Sequence, residues 1–270
     1  MAINMELHFT KMTGAGNDFV VLDNRGGQIF LDRTAIRLIC DRYRGVGADG
    51  LLLVERSDGR GDYRMRYYNA DGGEAEMCGN GARCFAKFVQ RLGAHGKEVT
   101  FETGAGLVLA QFEEDGEVSL RMGRPHDRRG PDLLEAGGRQ WEVYFLNTGV
   151  PHAVCFVEDF GSVDVVGVGR ELRNHPAFKP AGTNVNFVQV LGRGLLRVRT
   201  YERGVEDETL ACGTGVTAAV LIFAGIKGVA SPVAVETKGG DILKVRFDDV
   251  GENVELIGPA EFVFEGRMKF

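Results

Sequence analysis

The stretch CGNGARCFAKFV at residues 78–89 decides the fold, because its pattern returns as CGTGVTAAVLIF at residues 212–223, 134 residues later. Each stretch is a cysteine followed by Gly-x-Gly and an apolar run with helical spacing. This order predicts one helix that begins just after Cys78 and a second that begins just after Cys212. Backbone N–H groups and the helix dipole stabilise negative charge at such positions, so both favour a thiolate.

The repeat extends beyond these two stretches. The following pairs share the same offset: Tyr67 and Tyr201, Glu74 and Glu208, Val99 and Val233, and Gly106 and Gly240. A register kept over this distance indicates an internal duplication into two domains of like fold, with a period too long for a solenoid. A cleft between two such domains is a natural ligand site, where the two thiols would form a pair of bases.

The segment patterns predict a mixed α/β (α+β) chain. Helices are expected at residues 34–43, 79–92 and 215–224, among many short strands separated by glycines. One central helix per half surrounded by strands predicts a sheet wrapped around that helix. The polar, Gly/Pro-containing stretch of residues 123–138 predicts the boundary. The expected domains are residues 1–124, joined by a C-terminal strand at 262–270, and residues 125–261.

Composition narrows the class of protein. Apolar residues make up 44% of the 270 residues and charged residues 26%, which is typical of a soluble globular protein. The net charge of −6 argues against a nucleic-acid partner, and no apolar run is long enough to span a membrane. Five cysteines, an odd number, favour reduced thiols in the cytoplasm. No cysteine and histidine spacing matches a metal site, so none is expected.

Seven motifs in this order resemble those of the diaminopimelate epimerase family. They are FTKMTGAGNDFV (9–20), YNADG (68–72), CGNGARC (78–84), GVPH (149–152), TNVNF (183–187), YERG (201–204) and CGTG (212–215). The resemblance implies a homodimeric isomerase without a cofactor. It also implies two pseudo-symmetric domains, each a barrel-like, mostly antiparallel sheet around a central helix. The implied reaction interconverts LL- and meso-2,6-diaminopimelate, on the route to lysine and peptidoglycan.

The implied chemistry agrees with the paired cysteines. Inverting a stereocentre by proton exchange needs a base on one face of Cα and an acid on the other, and a thiolate/thiol pair supplies both. The catalytic residues are then Cys78 and Cys212, with charge on the substrate carboxylate stabilised at the two helix starts. The resemblance assigns substrate binding to Asn17, Asn69, Gly79, Asn80, Asn184, Glu202, Arg203, Gly213 and Thr214, and adjustment of the thiol pKa values to His152 and Glu202.

Two positions depart from the family pattern. Gly50 stands where some members have Gln, and Val150 where some have Asn, so each removes a possible side-chain contact to the substrate. The backbone, a water or a neighbour such as Asn147 would take over these roles.

Two other functions remain open at this point. One is a related two-cysteine proline or hydroxyproline racemase, although such enzymes carry His where this chain has Asn80. The other is a redox-regulated protein whose two reactive thiols form a disulfide.

Overall fold

Short segments separated by turns, many of which contain glycine, fold into strands, and each of two units arranges its strands around one central helix. The computed structural model describes residues 6–248 and 251–269. Unit 1 contains the described residues up to 120 and those from 258 onward, and unit 2 contains the described residues of 121–257. The domain ranges 1–124 with 262–270 and 125–261 stay a prediction, and residues 1–5, 249–250 and 270 of them lie outside the described residues.

The elements of the first half are β1 (Glu6–Thr13), β2 (Asp18–Asp23), α1 (Arg33–Cys40), β3 (Gly50–Arg56), β4 (Tyr63–Asn69), β5 (Glu74–Ala75), α2 (Gly79–Arg91), β6 (Glu98–Thr103), β7 (Gly106–Phe112) and β8 (Val118–Arg121). Those that follow are β9 (His126–Ala136), β10 (Arg139–Asn147), β11 (Pro151–Val157), α3 (Val165–Arg173), β12 (Asn184–Gly192), β13 (Leu195–Glu202), β14 (Asp207–Thr209), α4 (Gly213–Lys227), β15 (Val233–Thr237), β16 (Ile242–Phe247), β17 (Val254–Gly258) and β18 (Glu261–Lys269). Single-turn 3₁₀ helices occur at Phe160–Ser162 and Pro176–Phe178.

The two units repeat one succession of strand pairings. In unit 1, β2 and β3 run parallel across α1, and β4 and β6 run parallel across α2. In unit 2, β11 and β12 run parallel across α3, and β13 and β15 run parallel across α4. The hairpin neighbours are antiparallel in both units, as in β3–β4 and β12–β13. The predicted fold class, a duplicated and mostly antiparallel α/β chain, is therefore confirmed.

The helix α2 lies in the core of unit 1. Its apolar side chains pack against strand residues such as Phe19, Leu52 and Phe101, all fully buried. In unit 2, residues 215–223 of α4 are buried on every face, and α4 packs against strands that include β10, β11, β12, β13, β15 and β16. Both helices are thus surrounded by sheet, as the apolar runs predicted.

Several bounds differ from the expected ones for local reasons. Helix α1 begins at Arg33 because the Asp32 carboxylate accepts the backbone N–H of Ala35. Helix α4 continues to Lys227, where Gly228 adopts the left-handed conformation (φ 63°) that ends it. Helix α3 was not predicted, since its sequence VVGVGRELR contains two glycines that lower helix propensity.

The stretch expected to hold the domain boundary is mostly a strand. Residues His126–Ala136 form β9, which pairs antiparallel with β10. Its polar side chains are almost all exposed, so the composition imitates a linker while the backbone joins the sheet. Among the described helices, none is long and apolar enough to cross a membrane.

Candidate active site

Both motif cysteines are the residues that immediately precede the central helices. Cys78 (φ −136°, ψ 125°) caps α2 and Cys212 (φ −127°, ψ 104°) caps α4, each with extended backbone. Their carbonyls accept the first helical bonds, from Ala82 at 2.8 Å and Val216 at 2.9 Å. Each thiol therefore stands beside the N–H groups of a first helical turn. The predicted helix starts are confirmed, while the catalytic role of the two thiols stays a prediction.

The other three cysteines lie in the cores. Cys84 and Cys155 are fully inaccessible, and burial raises the pKa of each thiol to about 12. Burial likewise raises the pKa of Cys40 to about 11. These three side chains therefore remain protonated near neutral pH and act as small apolar groups.

Asn80 joins the start of α2 to the loop between β1 and β2. Its Nδ2 donates to the carbonyl of Ala15 at 3.1 Å and to Oδ1 of Asn17 at 2.8 Å. The Nδ2 of Asn17 donates in turn to Oδ2 of Asp49 at 2.9 Å. Two of the predicted substrate residues thus contact each other, and Asp49, which was not predicted, orients Asn17.

Asp49 belongs to a cluster of four charged groups. Its Oδ1 accepts from Arg42 at 2.7 Å, and Arg42 also makes two bonds with Asp18 at 2.8 and 2.9 Å. Lys11, which is 6% exposed, lies 2.8 Å from Asp18. Burial raises the pKa of Asp18, but hydrogen bonds from Arg42 and Lys11 outweigh it and hold that pKa well below its usual range. The cluster fixes Asp49 and, through it, Asn17.

The loop between β1 and β2 approaches α2 so closely that it needs glycine. A Cβ on Gly14 would lie 2.8 Å from both the Asn80 carbonyl oxygen and the Cys84 Sγ. The fully buried Arg83 reinforces this approach, since its Nη2 donates to the Gly14 carbonyl at 3.2 Å and to Asn80 Oδ1 at 2.8 Å. Gly14 is therefore needed for the loop to pack against the first turns of α2.

Tyr67 occupies the space that a side chain at residue 50 would need. A Cβ on Gly50 would lie 2.7 Å from Cε2 of Tyr67 and 2.6 Å from the Tyr68 carbonyl oxygen. Asn69 faces Gly50 across the β3–β4 ladder, and the Tyr67 hydroxyl donates to Asn69 Oδ1 at 2.7 Å. Within unit 1, the Tyr67 ring thus fills the space that a longer side chain at residue 50 would occupy, and its hydroxyl contacts Asn69.

Thr214 and its neighbours form the start of α4. Thr148 donates its hydroxyl to the Thr214 carbonyl at 2.9 Å, and the Cys212 Sγ lies 3.5 Å from the Thr214 hydroxyl oxygen. Asn147, suggested as a substitute substrate contact beside Val150, accepts the Gly149 N–H on its own Oδ1 at 3.0 Å. The side-chain amide oxygen of Asn147 therefore stabilises the turn between β10 and β11.

His152 is fully buried beside Asn186. Its Nδ1 lies 3.1 Å from Asn186 Nδ2, and burial, aided by the positive charge of Arg203, lowers the pKa of the imidazole to about 3. A Cβ on Gly215 would lie 3.3 Å from His152 Cε1 and 2.2 Å from Asn186 Oδ1. The ring therefore packs against the first turn of α4 as a neutral group. Asn186 was not predicted, although it lies in the TNVNF motif.

Asn184 connects two further candidate segments. Its Nδ2 donates to the Pro151 carbonyl at 3.0 Å, and its Oδ1 accepts the backbone N–H of Arg203 at 2.9 Å. The Arg203 guanidinium donates to the Ala181 carbonyl at 3.0 Å. Burial raises the pKa of Glu202. Asn184 thus holds the Pro-His and Glu-Arg segments next to each other within unit 2.

Several of the candidate residues contact one another within each unit. Unit 1 brings together Asn17, Asn80 and the start of α2, with Gly79 as its first residue. Unit 2 places His152 against the first turn of α4, whose first residue is Gly213, and joins Asn184 to Arg203. Among residues 6–248 and 251–269, no cluster of three or more His, Cys, Asp or Glu side chains is suited to hold a metal ion.

Comparisons with known sequences match nearly the whole chain. A family model described as diaminopimelate epimerase matches residues 9–127 and 144–263. A diaminopimelate epimerase of Aquifex aeolicus is 42% identical over 273 residues, which cover 97% of this chain and 98% of the relative. That of Chlorobaculum tepidum is 44% identical over 260 residues, which cover 95% and 99%.

Comparisons with solved structures concern the fold alone, because the sequence identities are low. A phenazine biosynthesis protein of the PhzF family from Bacillus anthracis has a TM-score of 0.74 at 15% identity, covering 98% of this chain and 99% of that one. A hydroxyproline epimerase from Agrobacterium vitis, solved with trans-4-hydroxy-L-proline, has a TM-score of 0.67 at 18% identity, covering 98% and 91%. Both support the duplicated architecture.

Proposed function

Because the chain belongs to the diaminopimelate epimerase family, we propose that it is an isomerase that interconverts LL- and meso-2,6-diaminopimelate, supplying the meso form for lysine and peptidoglycan. One observation carries the proposal: in a chain of this family, both motif cysteines cap the central helices of their units. Such a position favours the thiolate that proton abstraction from Cα requires.

The proposed mechanism uses Cys78 and Cys212 as a pair of acid and base. The thiolate of one cysteine removes the Cα proton from one face of the substrate, and the thiol of the other delivers its own proton to the opposite face. The two cysteines exchange roles in the reverse reaction. Charge that develops on the substrate carboxylate would be stabilised by the backbone N–H groups of Gly79 and Gly213 and of the residues after them, about 3 kcal/mol for each well-placed donor.

The remaining candidate residues would hold the substrate. Arg203 supplies a cation for a carboxylate, and the amides of Asn17 and Asn69 supply donors. Support comes from the fixed positions of these groups, since Asn17 is held between Asn80 and Asp49. Glu202, whose pKa burial raises, would influence the charge at the thiols together with His152. No cofactor has a role in this mechanism.

We also propose that the enzyme acts as a homodimer in the cytoplasm. The odd number of cysteines supports a reducing compartment. Consecutive apolar side chains on β18, at Phe262, Val263 and Phe264, are between 38% and 54% exposed, which supports contact with a second copy. Light scattering after size exclusion tests this state, and a monomer at micromolar concentration would contradict it.

Proton NMR of the reduced enzyme with LL-diaminopimelate in deuterated water tests the reaction. We expect deuterium at one Cα and the appearance of the meso product, while a parallel proline sample stays unlabelled. Exchange in proline alone would support a proline racemase instead. If neither substrate exchanges, the proposed function is wrong.

Cysteine variants test the roles of the two thiols in the same assay. Replacing Cys78 or Cys212 by Ala should slow epimerisation by about 10²–10⁴-fold, the usual effect of losing a general acid or base. The buried Cys40 gives a matched control, and Cys40→Ala should remain within a few-fold of wild type. Equal losses in all three variants would contradict the assignment.

A further inference from the structure

The orientation of the Asn186 side chain is fixed by its neighbours. Its Nδ2 lies 2.9 Å from the carbonyl oxygen of Ala153, which can only accept a hydrogen bond. Its Oδ1 accepts the hydroxyl of Thr200 at 2.9 Å. Asn186 is fully buried, so water cannot replace the hydrogen bonds at either end of its amide, and these bonds fix the orientation of the side chain.

This orientation determines where the proton of His152 is located. The same Asn186 Nδ2 that bonds Ala153 lies 3.1 Å from His152 Nδ1. A ring nitrogen that faces an N–H donor must accept, so Nδ1 carries no proton and the neutral ring carries it on Nε2. Burial and the cation of Arg203 both oppose a second proton on the ring.

The Nε2–H of His152 is thereby left as a donor. Among the described residues, Nε2 has no hydrogen-bond partner, although it is completely buried. An unsatisfied buried donor costs about 1–3 kcal/mol, so such a group calls for an explanation. The adjoining ring carbon Cε1 would lie 3.3 Å from a Cβ on Gly215, in the first turn of α4 that Cys212 caps.

We propose that Asn186 is a positioning residue that locks His152 as the Nε2–H tautomer, and that His152 donates this hydrogen to an anion at the start of α4 rather than acting as a base. The second half of this inference rests on the proposed epimerase function. The anion is the Cys212 thiolate or the substrate carboxylate, which share the ability to accept an N–H.

NMR of the protein labelled with ¹⁵N-histidine tests the tautomer directly. The chain has five histidines, and His152→Gln identifies the signals of His152. At pH 7 we expect an unprotonated Nδ1 and a protonated Nε2 in the wild-type protein. A protonated Nδ1, or a doubly protonated ring, would overturn the proposal without any activity measurement.

Two variants test the lock itself. In Asn186→Asp a carboxylate faces Nδ1, so the proton should move to Nδ1 or the ring should become charged. In Thr200→Val the Nδ2 contact to His152 remains, so the tautomer should not change. An unchanged tautomer in folded Asn186→Asp would show that Asn186 does not set it. If this variant fails to fold, the wild-type spectrum still decides.

Activity distinguishes a donor from a base. The amide nitrogen of Gln can replace the Nε2–H donor, whereas Leu cannot. We expect His152→Gln to keep at least tenfold more kcat than His152→Leu, and equal loss in both would overturn the donor role. If the tautomer is as expected but no diaminopimelate turns over, the proposed function fails while the lock stands.

The Nε2–H signal of His152 distinguishes the two candidate anions, the Cys212 thiolate and the substrate carboxylate. If the thiolate accepts, the signal shifts with pH in the absence of substrate, and Cys212→Ala abolishes that shift. If the carboxylate accepts, the signal shifts only when diaminopimelate is added. A signal that responds to neither would overturn the donor role.

Discussion

Tyr67 illustrates how a single side chain compensates for another within the candidate site. The missing side chain at Gly50 makes room for the Tyr67 ring, and the tyrosine hydroxyl then binds Asn69 Oδ1 at 2.7 Å. Because the amide oxygen accepts this bond, the Asn69 nitrogen points away from the hydroxyl, as its proposed role as a donor to the substrate requires. Gly50 and the position of the Tyr67 ring therefore depend on each other: a residue larger than glycine at position 50 excludes the tyrosine rotamer seen here.

Replacing Tyr67 by Phe should weaken substrate binding by removing the group that orients Asn69. We expect KM for diaminopimelate to rise by about 5- to 10-fold, corresponding to roughly 1 kcal/mol for one hydrogen bond, with kcat within a factor of about two. Steady-state kinetics measures both constants. Tyr63→Phe, on the same strand β4, is the matched control. A loss in kcat at constant KM would contradict the positioning role.

The buried His152 should make the folded state sensitive to mild acid. Its pKa falls from 6.5 to about 3 on folding, so between these values the unfolded chain binds a proton that the folded chain does not. Stability is therefore lost as pH decreases below about 6.5, by up to about 1.4 kcal/mol per pH unit. Urea unfolding from pH 7 to pH 5 should show a steeper loss for wild type than for His152→Gln. Parallel curves would contradict a neutral buried histidine.

Among the elements, the central helices were the most predictable from sequence and the outer elements the least. The apolar runs after Cys78 and Cys212 are long and strongly patterned, so both helices were expected within a few residues. Helix α3 escaped because its glycines weaken the helical signal, and β9 because exposed polar side chains resemble a linker. The pairing of β9 with β10 is made by backbone groups, so the amino-acid composition of β9 does not predict it.

In the candidate site, too, part of the arrangement could not be predicted from the sequence. Motifs pointed to Asn17, Asn80 and His152, whereas Asp49 and Asn186 emerge only from their contacts with Asn17 and His152 in the structure. Such supporting contacts join segments that are distant in sequence, so no spacing rule reveals them. Asn186 nevertheless lies inside the TNVNF motif and Asp49 directly precedes Gly50, and these positions are the only sequence signals for the two residues.

The end of α4 depends on a single glycine. Gly228 has φ 63° and ψ 40°, and its N–H donates to the Ala224 carbonyl at 2.8 Å. A side chain in this conformation is strained, so Gly228→Ala should lower the free energy of unfolding by about 1 kcal/mol. Gly123→Ala is the control, because a Cβ there meets no atom within 4 Å and φ is not positive. Urea denaturation compares the two, and equal stabilities would contradict this cap.

At the scale of the whole molecule, the chain's last strand completes the first unit. β18 runs antiparallel to β1, with Glu6 opposite Lys269 and Thr13 opposite Glu261. The Phe9 ring lies under Gly266, where a Cβ would come within 2.6 Å of it. The strands β1 and β18 therefore pair in one sheet, while the residues of unit 2 lie between them in the sequence. The stability of unit 1 therefore depends on β18, although β18 is distant from β1 in sequence.

Removing residues 261–270 tests this dependence by hydrogen exchange and mass spectrometry. Peptides from β1 lose the backbone partners supplied by β18, so we expect their amides to exchange at least about tenfold faster. Peptides from β12 in unit 2 serve as the internal control and should keep their protection, since their partners β11 and β13 remain. Gly266→Val gives a graded version, because it strains the Phe9 contact without removing the strand. Unchanged exchange in β1, or equal acceleration in β12, would show that β18 does not act as a local support of unit 1.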